Sequence, residues 1–419
     1  MRVTILNQFY APDLSATAHL CRSLAEHLAA GGAEVRMVTS RGGYVAESGA
    51  AADGSDGGVT VHRLWTPRLG KANLLFRLID YASFYVAALG RMFTLPRQDV
   101  VVTLTTPPLI GLAALAHRLL HRDVKTVLWN MDCYPDIAET TGVLRRGWPA
   151  SRALEWLVRR QFRRLDHVVT LDSAMTDLLK ERYAPGGDGL PFMVIPNWEP
   201  ADLFPHPVTE PAHASPEKPF VVLYLGNAGY GHRFGTVLDA AERLRGRPIR
   251  FLFIGGGRRW REIADAAEAR NLDNIELRGY VPKEETPSVM AAAGAALITL
   301  SNDSKGVMSP SKLHSNLAMG LPIAYVGPTG SNVDEAIAAF RCGVSVRHGG
   351  DEQLADYLCR LTDDAPLHAE VRKNARRAFE TRYSDRVTLK AFERLLDKVL
   401  EPGADINRPP AAQQPSANC

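Results

Sequence analysis

The chain has 419 residues, of which 46% are hydrophobic and 23% are charged, with a formal net charge of +3. These values are typical of a soluble globular protein with two domains, and neither the small charge nor any basic run with interleaved aromatics supports a nucleic-acid partner. The five cysteines are scattered without a CxxC pair, so we expect a reduced compartment and no metal site.

Strand and helix patterns alternate along the first half of the chain. The start of the sequence, MRVTIL, reaches a polar residue too soon for a signal peptide and predicts a first strand instead. No apolar run of 18 or more residues occurs, so no membrane-spanning helix is predicted. The predicted elements are strands at 3–6, 35–39, 59–64, 100–104, 126–129, 168–171 and 192–195, helices at 19–30, 112–120 and 151–164, and a long apolar segment at 69–93.

A proline-rich stretch at 200–219 interrupts this pattern and predicts a linker. A second alternating series follows. We therefore predict an α/β fold of two doubly wound domains, at 1–199 and 220–384, facing a central cleft. A helix at 385–400 is expected to pack back on the first domain, and the tail at 401–419 is expected to be disordered.

Ligands of open α/β sheets bind beyond the carboxyl ends of the strands, which draws attention to the loop after Leu225. This loop, 226–232, contains Gly226, Asn227, Gly229 and His232. Its glycines permit close approach of a ligand to backbone amides, although a tight strand-to-helix turn is the alternative interpretation. The spacing fits neither a dinucleotide-binding fingerprint nor a P-loop.

Two further turns of the second half are weaker candidates. Gly255 begins a glycine triplet after the next strand, which could be a second phosphate-facing turn or only a turn before a helix, and the plain turn is the favoured interpretation. Gly279, Tyr280 and Val281 form a strand exit whose backbone could contact a planar base, with a structural turn as an equal alternative.

In the first half, Asp132 lies three residues beyond a predicted strand end and faces the expected cleft. A carboxylate there could orient or deprotonate an acceptor hydroxyl, or it could cap a helix or turn. Asn130 lies in the same loop. The loop at 8–17 faces the same gap with three further candidate side chains, those of Tyr10, Ser15 and Thr17.

The stretch at 305–328, KGVMSPSKLHSNLAMGLPIAYVGP, predicts a loop, a short helix and a buried strand. Pro310 suits the first helical position, and Ser309 suits the cap before it. Ser311 and Lys312 would then form a positive helix end suited to an anion. The alternative is an ordinary junction with a solvated lysine.

Seven segments together resemble family 4 glycosyltransferases of the GT-B fold, in the subgroup of bacterial O-antigen, capsule and colanic-acid-type enzymes. The resemblance covers roughly residues 2–400, and the order and spacing of the motifs are its strongest part. The segments are NQFYAPDLSATAHL, WNMDCYPD, VIPNWEPADLF, LYLGNAGYGHRFGTVLDAAERLR, FLFIGGG, DNIELRGYVPKEE and PSKLHSNLAMGLPIAYVGP.

This resemblance implies transfer of a sugar from a UDP- or GDP-sugar, with retention and without metal or other cofactor. It implies attack on the front side of the donor, with a donor phosphate oxygen taking the acceptor proton. It places a catalytic role at Asp132 and Lys312. The other implied contacts are with the donor phosphates at Gly226, Asn227, Gly229, His232, Ser311 and Lys312, with the nucleoside at Gly255, Gly279, Tyr280, Val281 and Ser315, and with the acceptor at Tyr10, Ser15, Thr17 and Asn130.

The sequence departs from the family pattern at three positions. Two family glutamates, eight positions apart, align with Val307 and Ser315, and His232 replaces the usual lysine of the glycine loop. In the family pattern, one of these glutamates contacts the sugar of the donor and the other contacts the ribose.

The segments at 69–93 and 151–164 combine apolar residues with arginines and few acids, a composition that suits an anionic membrane surface. The resemblance adds a polyprenyl-diphosphate-linked saccharide acceptor and a peripheral location on the cytoplasmic face of the membrane. Two packed helices with solvated arginines are the alternative.

Two other functions compete with the glycosyltransferase. The first is a sugar-nucleotide epimerase of the GT-B fold or a phosphorylase-like protein, and an epimerase is expected to place acidic residues where this cleft has few. A catalytically silent partner subunit of another transferase would explain the missing glutamates.

Overall fold

The structure, a computed structural model, describes residues 1–13, 15–41, 53–67, 74–185, 189–204 and 218–401. Most of the predicted linker at 200–219 and nearly all of the tail at 401–419 lie outside the described residues. The start of the apolar segment at 69–93 also lies outside them.

The first half is built on an eight-stranded sheet with the order β3-β4-β2-β1-β5-β6-β7-β8. All neighbouring strands are parallel except the pair β3 and β4, so the carboxyl ends of the parallel strands share one edge. The strands are β1 (Arg2–Leu6), β2 (Glu34–Ser40), β3 (Gly54–Asp56), β4 (Val59–Leu64), β5 (Val100–Thr103), β6 (Lys125–Trp129), β7 (His167–Thr170) and β8 (Phe192–Val194).

Helices cover both faces of this sheet, which explains why its central strands are continuous apolar runs rather than alternating ones. Every residue of β5 and of β7 is buried. The helices are α1 (Ala16–Ala30), α2 (Leu74–Thr94), α3 (Gly111–Leu120), α4 (Asp136–Thr140), α5 (Pro149–Phe162) and α6 (Ser173–Tyr183).

The second half is a six-stranded parallel sheet with the order β11-β10-β9-β12-β13-β14. Its strands are β9 (Phe220–Asn227), β10 (Ile249–Gly256), β11 (Ile275–Arg278), β12 (Ala295–Thr299), β13 (Ile323–Val326) and β14 (Gly343–Val346). Its helices, followed by the final helix of the chain, are α7 (Gly235–Arg243), α8 (Trp260–Ala269), α9 (Thr286–Ala291), α10 (Lys312–Ala318), α11 (Asn332–Phe340), α12 (Asp351–Asp363), α13 (Ala365–Ala378) and α14 (Asp385–Leu400).

The chain crosses between the two sheets twice, and the crossings lie side by side. The amide of Asp385 donates to the carbonyl oxygen of Glu199. Beyond this crossing α14 packs on the first domain, where Phe392 contacts the rings of Trp129 and Trp198. The final helix therefore belongs to the hydrophobic core of the first domain.

Two predictions about local structure are wrong, and three helices escaped prediction. Helix α10 begins at Lys312 with Ser311 as its cap residue, so Pro310 is not its first residue and Ser309 does not cap it. The Ser309 hydroxyl instead accepts a hydrogen bond from the side chain of Asn332 at 2.8 Å. Helices α6 and α11 were not predicted, since polar and charged residues interrupt their apolar rhythm, and the five-residue helix α4 is too short to show such a rhythm.

Candidate active site

Strands β9 and β10 run side by side into the glycine turns that end them. The register pairs Gly226 with Gly255 and Asn227 with Gly256. A Cβ atom at Gly255 would collide with the carbonyl oxygen of Gly226, so only glycine permits this approach. The result is a floor of bare backbone at the carboxyl edge of the second sheet.

The side chain of Lys312 lies directly over this floor. Its ammonium donates to the carbonyl oxygen of Asn227 at 3.2 Å and stands 4.9 Å from the ring centroid of Tyr224. A Cβ at Gly226 would lie 3.3 Å from the Cε of Lys312, so the lysine stem fills the space above that glycine. Burial lowers the pKa of Lys312 to about 8. The structure thus brings the predicted lysine to the predicted glycine turn.

The structure gives less support to two other predicted phosphate contacts, Ser311 and Gly229. Ser311 is exposed, and its carbonyl oxygen accepts from Nδ1 of His314 at 3.0 Å. Gly229 lies beside the side-chain amide of Asn227. Helix α10 has only seven residues. The positive group at this position is consequently the Lys312 ammonium itself, not a long helix dipole.

His232 is buried and closes the glycine loop. Its Nδ1 lies 2.7 Å from the carbonyl oxygen of Thr299, which requires that this nitrogen carry the proton. Burial and the charge of Lys312 lower the pKa of His232 to about 4, so the ring is neutral at pH 7. A neutral ring with this tautomer offers a lone pair at Nε2 and cannot donate from it to a phosphate.

On the predicted nucleoside side, Tyr280 offers a platform. Its ring lies against Gly256, and 69% of the residue is exposed. The other predicted nucleoside contacts are less suited to a base. Val281 packs against the hydrophobic core, Gly279 has open space around it, and the hydroxyl of Ser315 points back to the carbonyl of Lys312 at 3.4 Å.

Asp132 lies at the carboxyl edge of the first sheet, beyond β6. Its backbone amide donates to the hydroxyl of Thr105 at 3.1 Å, and its side chain is half-buried. Burial raises the pKa of the carboxyl group. Burial raises the pKa of Tyr134 and of Tyr81 on α2, and the charge of Asp132 acts in the same direction on both, while Arg77 opposes it.

The other predicted acceptor-side residues have structural roles in the first domain. Asn130 is buried, with its amide directed at the sulfurs of Cys133 and Met175. Tyr10 is buried under the Arg63 guanidinium. Ser15 caps α1 by accepting from the amide of Ala18, and half-exposed Thr17 lies 3.5 Å from the Ser15 hydroxyl. The sequence did not predict these structural contacts, because short polar residues occur both at helix caps and at binding sites.

The segment 301–308, which we call the bridging loop, connects the glycine loop of the second half to the first half. The amide of Ser301 donates to the carbonyl oxygen of Gly231 at 2.8 Å. At its other end, the carbonyl oxygen of Gly306 accepts from the thiol of Cys133 at 3.3 Å. The loop that carries His232 and the loop that carries Asp132 are therefore held against one common segment.

Sequence reasoning missed Tyr224, Thr105 and Thr299, which support Lys312, Asp132 and His232. Tyr224 and Thr299 lie within strands, where inward-facing positions give no sign of a role at the site. Thr105 follows a strand end that the topology rule does nominate, and that rule was the one available signal.

Val307, at one of the two family glutamate positions, lies in a buried environment. Val307 is 5% exposed, so a carboxylate at that position would lose most of its hydration. Across the described parts of the chain, no three histidine, cysteine, aspartate or glutamate side chains converge as metal ligands would. Among the helices of those same parts, none has the length and apolarity needed to cross a membrane.

Comparison with known families and proteins agrees with this geometry. A glycosyl transferase 4-like domain matches residues 16–198, and a model of glycosyl transferases group 1 matches residues 207–378. The putative colanic acid biosynthesis glycosyl transferase WcaI of Escherichia coli is 25% identical over 342 residues, covering 76% of this chain and 82% of that protein.

Solved structures share the fold. Sucrose-phosphate synthase from Thermosynechococcus elongatus matches with a TM-score of 0.68 at 14% identity, covering 95% of this chain and 99% of that one. HepE from Anabaena, in complex with UDP and glucose, matches with a TM-score of 0.64 at 14% identity and the same coverage. The chain belongs to the glycosyltransferases of the GT-B fold, with a glycosyl transferase 4-like domain followed by a group 1 domain.

Proposed function

We propose that this glycosyltransferase moves a sugar from a UDP- or GDP-sugar to a lipid-linked saccharide during bacterial surface polysaccharide synthesis. The similarity to WcaI supports the biosynthetic context. The observation that carries the proposal is the Lys312 ammonium, 3.2 Å from the carbonyl of Asn227 above the glycine floor.

The diphosphate of the donor would lie over Gly226 and Asn227 and displace that carbonyl as the partner of Lys312. An ammonium and backbone amides can stabilise the charge that develops on a leaving diphosphate. The proposed transfer therefore needs no metal and no cofactor besides the nucleotide sugar. Full activity in EDTA would support this, whereas activity restored only by Mg²⁺ or Mn²⁺ would refute it.

The surroundings of the two ends of the glycine loop suggest how the nucleotide sugar would be oriented along it. Asn227 lies beside the exposed Tyr280 ring, which suits a base. Gly231 contacts the bridging loop, which touches the first domain. The nucleoside would therefore lie toward Tyr280 and the sugar toward Asp132.

For the chemical step we carry over the family mechanism, a front-side attack with retention in which a donor phosphate oxygen takes the acceptor proton. Asp132 would orient the attacking hydroxyl as a hydrogen-bond acceptor. The anomeric configuration of the product, read from its NMR coupling constant, tests retention.

The surface beside Asp132 suits the lipid part of such an acceptor. Helix α2, whose Tyr81 is within the electrostatic influence of Asp132, exposes Leu75, Leu78 and Ile79 at 62%, 52% and 41%. These side chains would contact the membrane or the polyprenyl chain near the proposed acceptor site at Asp132.

Helix α5 would extend the same contact through an exposed face of mixed chemistry. Trp156 is 60% exposed and lies between exposed Arg152 and Arg160, one turn to either side. Between α3 and α5 lies a groove of about 460 Å³ whose lining includes four arginines, Arg118, Arg122, Arg163 and Arg164. Apolar and cationic groups together favour an anionic lipid surface, so we place the enzyme peripherally on the cytoplasmic face of the membrane.

The test is a thermal-shift panel of nucleoside diphosphates, first on the native protein and then on Lys312→Ala. We expect UDP or GDP to raise the melting temperature of the native protein and to leave Lys312→Ala unaffected. Lys305→Ala is the matched control, because this exposed lysine lies on the bridging loop away from Asn227 and should keep the shift. No shift with any nucleotide would refute the donor site.

The matching nucleotide sugars then test catalysis. Transfer to a polyprenyl-diphosphate saccharide, or slow hydrolysis of the donor, would exclude the silent-subunit hypothesis. Binding of the donor without either reaction would favour that hypothesis instead.

A further inference from the structure

We infer that the Nε2 atom of His232 accepts a hydrogen bond from a hydroxyl group of the donor sugar, and so helps to select that sugar. This inference rests on the proposed donor site and assigns His232 a contact other than the phosphate contact expected from its position in the glycine loop.

The first support is the fixed tautomer of the ring. Nδ1 faces two oxygens of Thr299, the carbonyl at 2.7 Å and the hydroxyl at 3.2 Å. A carbonyl oxygen can only accept, so Nδ1 carries the hydrogen and Nε2 carries a lone pair. A lone pair repels a phosphate oxygen and needs a partner that donates.

The second support is the charge around the ring. Burial opposes protonation of His232 most strongly, and two cations, Lys312 and Arg259, act in the same direction. The ring consequently stays neutral while Lys312 keeps the positive charge. The two side chains would therefore bind different groups of the donor: Lys312 binds the diphosphate, and His232 binds a neutral hydroxyl.

The third support is the place of His232 in the loop. Asn227 marks the Tyr280 side, whereas the residue before His232, Gly231, lies against Ser304 and Met308 of the bridging loop. The bridging loop reaches the first domain through Gly306. His232 therefore lies at the end of the glycine loop that faces the first domain, where the proposed donor site places the sugar and not the nucleoside.

The test compares two ligands on native protein and on His232→Phe, which keeps a ring of similar shape and removes both nitrogens. Calorimetry would measure the dissociation constants of a nucleoside diphosphate and of its nucleotide sugar. We expect the variant to bind the nucleotide sugar about five- to tenfold more weakly, the range of one neutral hydrogen bond, with the nucleoside diphosphate unchanged.

If the variant binds both ligands more weakly and to the same extent, His232 contacts a phosphate. If it binds both as tightly as the native protein does, His232 contacts neither ligand. Each result would overturn the inference. Failure of the native protein to bind any nucleotide would refute the donor site itself, so the two failures are distinguishable. A second measurement avoids dependence on the variant. Nitrogen-15 NMR of the native protein should report the Nδ1–H tautomer of His232, and an Nε2–H tautomer would also overturn the inference.

Discussion

The thiol of Cys133 donates to the carbonyl oxygen of Gly306 at 3.3 Å, across the boundary between the two domains. Cys133 follows Asp132 directly, and Gly306 belongs to the loop that contacts the donor turn. Gly306 has a φ of +74°, and a Cβ there would lie 2.6 Å from the carbonyl oxygen of Ala174. The contact between Cys133 and Gly306 thus helps to position the proposed acceptor carboxylate relative to the glycine loop.

We expect Gly306→Ala to reduce sugar transfer at least tenfold, because the added methyl group must push the bridging loop away from Ala174. Gly246→Ala is the control, since Gly246 has a similar φ of +77° with nothing within 4 Å of its Cβ position. Both variants should lose roughly 1–2 kcal/mol of unfolding free energy from left-handed strain. Equal transfer rates in the two variants would show that the domain contact does not position the site.

The affinity for a nucleoside diphosphate should depend on pH through Lys312. The pKa of its ammonium is about 8 in the free protein, and a bound diphosphate would raise it. Binding is then constant below pH 8 and weakens by up to about tenfold per pH unit above it, until the pKa of the complex is reached. Calorimetry at pH 7, 8, 9 and 10 measures this.

Lys312→Arg supplies the comparison for that experiment, because a guanidinium keeps its charge throughout this range. Its affinity should not fall between pH 8 and 10 beyond any change due to the nucleotide base. A parallel fall in both proteins would assign the pH dependence to the nucleotide and not to the lysine.

Asp132→Asn should slow transfer by about 10²- to 10⁴-fold, the usual contribution of a positioned acid or base. Donor affinity should change less than twofold, since the Asp132 loop makes its hydrogen bonds to Thr105 and, through the Cys133 thiol, to Gly306 of the bridging loop, and not to the glycine turn. Steady-state kinetics with separate donor titrations measures both quantities. Asp123→Asn, at an exposed aspartate paired with Arg97, serves as the control and should behave as the native protein. A normal turnover number in Asp132→Asn would remove Asp132 from the mechanism.

The meeting of Lys312 with the Asn227 turn could be predicted from sequence, because strand order and glycine spacing determine which loops share a sheet edge. The start of α10 could not, since Ser309 and Pro310 satisfy local capping rules while tertiary contact with Asn332 decides the conformation. The structural contacts of Asn130 and Ser15 could not be predicted for a related reason. Their polarity marks them as candidates, and only the packed structure shows that Met175 and the amide of Ala18 already use them.

Removing a single exposed leucine from α2 should weaken membrane binding. Leu78→Ser at 52% exposure is paired with Leu203→Ser at 55% exposure, near the domain crossing. Insertion of one leucine contributes about 1.5–3 kcal/mol when burial is complete, so partial insertion predicts a loss of about five- to twentyfold. Sedimentation with anionic liposomes at moderate salt measures the partition. If both variants, or neither, lose binding, α2 is not the docking element.

Acid should destabilise the protein partly through His167, which is buried with both ring nitrogens lacking a hydrogen-bond partner among the described residues. Burial, with a smaller effect of Lys398, lowers its pKa from 6.5 to about 4. The unfolded chain therefore takes up this proton first, and stability falls as the pH drops from 6.5 toward 4, by up to about 2 kcal/mol at pH 5. His167→Leu has a similar volume and breaks no hydrogen bond. Its urea midpoint should fall less than that of the native protein between pH 7.5 and pH 5, whereas identical falls would exclude His167 as a source of acid sensitivity.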